Sequence, residues 1–154
     1  MVDVRLKRAY EPAARGDGYR ILVDRLWPRG VTKDDAALDA WAKELAPSAG
    51  LRRWFGHDPR RFREFAGRYR QELRAPGARA RLDDLARRAA HGPVTIVFGA
   101  RDARHSNAPV VLAEVERRLG APGRRPSTPA AASVRRSARP APRRHARPRR
   151  DRAR

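Results

Sequence analysis

The chain has 154 residues, enough for one domain with a real hydrophobic core. It has no cysteine, which excludes disulfides, thiolate catalysis and Cys-ligated zinc. Its formal net charge is +20, divided as +9 over residues 1–119 and +11 over residues 120–154. A field of that sign attracts nucleic acid and phosphorylated ligands. The excess of Arg over Lys equally fits a GC-rich coding bias behind an ordinary solvated surface. No apolar run approaches a membrane span, and the start MVDVRLKR lacks the apolar stretch of a secretory signal. The expectation is a cytoplasmic protein with no membrane partner.

Val2, Val4 and Leu6 alternate with Asp3, Arg5 and Lys7, the pattern of a half-buried strand. A loop with Pro12, Gly16 and Gly18 follows. Tyr19–Val23 then reads as a second strand, apolar enough to lie centrally. Residues 31–46 are ambiguous. The spacing of Leu38, Trp41, Ala42 and Leu45 predicts a helix over Asp34–Glu44, with a short strand around Leu38–Lys43 as the alternative. Ser48 suits the N-cap of a short helix carrying Leu51, Trp54 and Phe55, and Asp58-Pro59 reads as a second cap with a first-turn proline.

The clearest amphipathic pattern is Phe62, Phe65, Ala66, Tyr69 and Leu73, one face of a helix that Pro76-Gly77 ends. A further helix over about Ala78–Ala90 buries Leu82, Leu85, Ala86 and Ala89. Val94–Phe98 is a buried strand. A charged loop, Gly99–Ser106, leads to a last helix with Val111, Leu112, Val115 and Leu119, capped by Asn107. Residues 120–154 hold twelve arginines, six prolines and one sizeable aliphatic, Val134. Such a composition predicts disorder. A frameshifted extension, a nucleic-acid-binding tail and an inert linker all fit it. The expected division is therefore a domain over 1–119 and a disordered Arg/Pro/Ala-rich tail over 120–154.

Five segments carry a family resemblance: DGYRILVDRLWPRG (17–30), LDAWAKELAPS (38–48), LRRWFGHDP (51–59), FREFAGRYRQEL (62–73) and VTIVFGARDARHSNAPVVL (94–112). In order and spacing the chain resembles the YeaO-like family, bacterial proteins of unknown function, over about residues 1–119. The resemblance implies a compact α/β domain with a small parallel sheet. A wider set of related proteins places a Cys and a His-Arg pair in the loop after the strand matching Val94–Phe98. This chain has Arg101, Asp102, His105 and Asn107 there and no Cys, so thiol chemistry does not carry over.

Two loops carry the candidate chemistry. In Asp24-Arg25-x-Trp27-Pro28-Arg29-Gly30, Trp27 either stacks a ligand ring or fills the core. Arg25 and Arg29 can fork onto a carboxylate or phosphate. In Arg101-Asp102-x-x-His105-x-Asn107, a helix start beside Arg101 suits an anion, and His105 oriented by Asp102 is an acid–base candidate, with a helix-capping loop as the alternative. Arg29 and Arg101 would supply charge, with Asp24 and Asp102 orienting them. The histidines lack metal-ligand spacing and there is no Gly-rich phosphate motif, so neither a metal nor a cofactor is expected.

The fold class expected is α/β: a small, mainly parallel sheet flanked by helices, Rossmann-like and three-layered. Both loops then leave the carboxyl ends of strands and form one site. The function expected is binding of an anionic, nucleotide-like ligand, with hydrolase or transferase chemistry left open. The alternatives are a nucleic-acid-binding or regulatory module using the basic surface, and a structural partner protein.

Overall fold

A computed structural model of the chain describes residues 2–120. Four strands, β1 (Val4–Arg8), β2 (Tyr19–Leu22), β3 (Ala40–Trp41) and β4 (Val94–Phe98), form one sheet in the order β1-β4-β2-β3. Every pairing is parallel. Ile96 of β4 stands level with Leu6 of β1 on one side and Ile21 of β2 on the other. The helices are α1 (Lys33–Ala36), α2 (Ala49–Phe55), α3 (Phe62–Glu72), α4 (Pro76–Ala89) and α5 (Asn107–Leu119). The protein is α/β with a parallel sheet, as the alternation of strand and helix patterns predicts. The expectation of a disordered tail falls on residues 121–154, outside the described residues.

The period-two alternation of strand side chains divides the interior between two unequal faces. Ile21, Val23, Val94, Ile96 and Phe98 face α2–α5 and join Phe65, Tyr69, Leu82, Leu85 and Val111 in the main core. Leu22 and Val97 face the other way with Ala9, covered by Trp27, Val31, Leu38 and Trp41. That second layer is thin, a loop with the four-residue α1. It also contains a buried ion cluster. Asp17 and Arg20 are each 3 % exposed, and Arg20 Nη1 donates to Asp17 at 2.5 Å. Lys7 Nζ reaches the same carboxylate at 3.0 Å, and the remaining Arg20 donors bond Ala36 O.

The helix expected over Asp34–Glu44 does not form. Lys33–Ala36 makes one turn, and Ala37 at φ 45° ends it in the left-handed region. The chain then pairs with the free side of β2 as β3, the strand alternative. The apolar residues here serve two faces: Ala40 and Ala42 pack on the main core, Trp41 on the thin layer. A helix would have placed Trp41 and Ala42 together and left the backbone of β2 unpaired. The last helix has Ser106, not Asn107, at its N-cap, with no side-chain capping bond. Pro76 opens α4 rather than closing α3, its missing N–H falling in the first turn. The Ser48 and Asp58 caps form as expected.

Candidate functional site

The sheet order sets the location. From β2 the chain moves outward to β3 on one side; from β4 it moves into α5, which packs on β1 and β4. The carboxyl ends of the two central strands therefore diverge, and a crevice opens between them. In parallel α/β sheets that is where ligands bind. A cleft of about 260 Å³ occupies it, with Asp24, Arg25, Trp27 and Pro28 from the loop after β2 and Gly99, Ala100 and Asn107 from the loop after β4. Arg52, Phe55 and His57 contribute from α2 and its exit turn, Tyr10 from the loop after β1.

Asp24 joins the two loops. Its Oδ2 accepts from Gly99 N–H at 2.8 Å and its Oδ1 from Asn107 Nδ2 at 2.9 Å. Asn107 Nδ2 also donates to Val23 O at 3.1 Å. A Cβ on residue 99 would stand 3.1 Å from Asp24 Oδ2, tighter than ordinary contact, so glycine suits the bond. Burial pushes the Asp24 carboxyl above the ordinary carboxylate value. It outweighs the bonds from Asn107 and Gly99 and the charges of His57 and Arg52.

Trp27 is held on two sides. Its indole N–H donates to Val31 O at 2.7 Å, and its ring meets Trp41 edge-on at 5.5 Å. Trp41 in turn donates to Asp24 O at 2.7 Å. Trp27 thus packs the thin layer with part of its surface while lining the cleft with another part. Arg25 is exposed and reaches Pro47 O weakly, at 3.4 Å and 3.5 Å.

Of the residues singled out in the sequence, Asp24, Arg25, Trp27 and Asn107 come together on the cleft. Arg29, Arg101, Asp102 and His105 lie outside its lining. Arg29 and Arg101 are exposed, and neither Asp24 nor Asp102 bonds them. Asp102 accepts instead from the N–H groups of Arg104 and His105 and from His105 Nδ1 at 2.7 Å, and the His105 bond leads the forces that lower its carboxyl pKa. The His105 ring meets Phe62 edge-on at 5.3 Å, away from the cleft.

Arg52 and His57 are cleft residues that pattern reasoning missed. Arg52 sits on a helix too short for a clear polar stripe. His57 follows Gly56, and both have positive φ, 56° and 54° respectively. These two left-handed residues turn the chain after α2 and set His57 on the cleft wall. A histidine there is strained by about 1–3 kcal/mol, and such strain concentrates at functional sites. The sequence signal was the Gly-His-Asp-Pro run, legible as a tight turn but not as a cleft wall.

A family model described as "Inactive DUF488-N3 subclade" matches residues 3–132. The uncharacterised protein YeaO of Escherichia coli is 41% identical over 119 residues, covering 77% of this chain and all of that protein. The chain belongs to this YeaO-like family. An uncharacterised protein of Mycobacterium tuberculosis is 49% identical over 92 residues, 60% of this chain and 78% of the relative, and one of Mycobacterium bovis matches equally. No solved structure matches. The family match runs past Leu119, beyond the last residue of the expected domain. No helix among the described residues is long and apolar enough to cross a membrane.

Proposed function

We propose that this YeaO-like domain binds a small anionic ligand, nucleotide-like in combining a phosphate or carboxylate with a flat ring, and holds it without turnover. One observation carries the reading. Arg25, Arg52 and His57 all line the crevice between β2 and β4, while its one lining carboxylate, Asp24, is committed to Gly99 and Asn107. The two guanidiniums are thus available to an anion, and the acid ties together the two loops that form the crevice. Arg52 is exposed and has no acidic partner among the described residues. Tyr10, Trp27 and Pro28 supply apolar wall for a ring.

Binding rather than turnover is this reading's choice because Asp24 is held by Gly99 and Asn107 and faces no bonded hydroxyl or histidine among the described residues. The lining hydroxyls are those of Tyr10 and Ser106, and Ser106 is 2 % exposed and donates to Ala103 O. The Asp102–His105 pair stands outside the cleft. The word "Inactive" in the family description agrees with this reading.

Calorimetric titration of the full chain with pyrophosphate and with mononucleotides tests the proposal. Arg52→Ala should weaken binding about tenfold or more, the loss of a charge-assisted bond, with the melting temperature unchanged. Full affinity retained in Arg52→Ala would remove the cleft as the anion site.

A further inference from the structure

A second surface, remote in character from the cleft, runs along α3. Arg60, Arg63, Gly67, Arg70 and Arg74 recur at intervals of three and four, so they share one stripe of the helix and its two flanking turns. All five are exposed. The core face of the same helix, through Phe65, Ala66 and Tyr69, is the opposite one.

Three features mark this stripe, the first of them particular in recurring along one face of a single helix. First, its arginines lack acids. Several guanidiniums on other elements are paired with acids: Arg81 with Glu44 at 2.8 Å, Arg88 with Asp84 at 2.8 Å, Arg118 with Asp83 at 2.9 Å. Among the described residues Arg63, Arg70 and Arg74 have no such partner, and Arg60 touches only Asp58, its side chain 90 % exposed. Second, Arg60, Arg61 and Arg63 crowd the start of α3, where the helix dipole disfavours positive charge. Stability does not favour them there. Third, the flank carries cation–π contacts: the Arg61 and Arg68 guanidinium carbons stand 5.3 Å and 4.5 Å from the ring centre of the half-buried Trp54.

We propose that this face of α3 is a docking surface for the sugar-phosphate backbone of a nucleic acid. Arg63 and Arg70 stand two turns apart, about 10.5 Å along the axis, the rise of about three base pairs. Guanidiniums present fork donors that fit phosphate oxygens. Gly67, with nothing within 4 Å of where its Cβ would stand, leaves the middle of the stripe open to close approach. An anionic membrane is the less suitable occupant, because a membrane-seated helix needs an apolar face at the surface and this face has none. Contacts of this kind position a duplex and read no sequence.

The test is fluorescence anisotropy of the full chain with a labelled random-sequence duplex over a salt series, alongside sedimentation with phosphatidylserine vesicles. Arg63→Gln/Arg70→Gln/Arg74→Gln is compared with Arg15→Gln/Arg79→Gln/Arg87→Gln, which removes equal charge elsewhere. Glutamine keeps helix propensity, and thermal melts of both variants confirm the fold. The arginines beyond Gly120 are present in every arm. The α3 variant should lose roughly tenfold in duplex affinity near about 100 mM salt, and its salt slope should fall by about three. The control should stay within about twofold of the parent protein. Equal losses in both variants, or none in the α3 variant, would overturn the proposal. So would loss of vesicle binding with duplex affinity kept.

Discussion

Two aspartates, Asp17 buried and Asp24 half-buried, do opposite things at the scale of single residues, and pH separates them. Burial works against the Asp17 carboxylate, but donors from Ala14, Lys7 and Arg20 outweigh it and hold its pKa below the ordinary value. The unfolded chain therefore binds its proton first. Its contribution to stability is present above the unfolded pKa, near about 3.9, and is lost as pH falls through the folded value. Asp17→Asn leaves Arg20 buried and uncompensated and should cost about 3–5 kcal/mol at neutral pH, less in acid. Asp24 has the raised pKa, so its contribution is lost as pH rises through the folded value. Asp24→Asn offers one acceptor where Gly99 N–H and Asn107 Nδ2 need two, and should cost about 1–3 kcal/mol. That deficit narrows as pH rises, whereas the Asp17 deficit widens. Denaturant midpoints from acid to neutral pH measure both, and parallel profiles would contradict the assignment.

Helices and strands reveal which parts of the fold local pattern carries. The α3 face is written in its sequence because three aromatics fall on one side, and Phe65 is 2 % exposed, stacked on Phe55 at 4.2 Å. Phe65→Ala should cost about 3–5 kcal/mol by denaturant unfolding; a loss below about 1 kcal/mol would put that ring outside the core. β4 is equally legible, since all five of its residues are buried and β-branched or apolar. β3 is not. Its two residues are too few to show a period, and Trp41 with Leu45 happens to match helical spacing. What decides its state is the unpaired side of β2, a tertiary demand that no local window contains. Asn107 was misplaced as a cap for the same kind of reason: its amide answers Val23 O and Asp24, residues more than eighty positions earlier.

The whole molecule places its polar loops by topology. Once two parallel central strands are recognised, the crevice between their carboxyl ends follows, and with it Asp24, Arg25, Trp27 and Asn107. The α2 contribution does not follow, because Arg52 and His57 reach the cleft only through the left-handed turn at Gly56–His57. Charged residues near a predicted site are also easily overcounted: Arg29 and Arg101 sit in the right loops yet outside the cleft lining. The central claim is that the crevice, not the basic surface at large, receives a small anion. An amide chemical-shift titration of the full, isotope-labelled chain with a mononucleotide addresses it directly. Saturable shifts should appear at Arg25, Arg52, His57, Gly99 and Asn107 and be absent from the exposed face of α3. Shifts confined to α3 or to the arginines beyond Gly120, with the cleft amides unmoved, would contradict it.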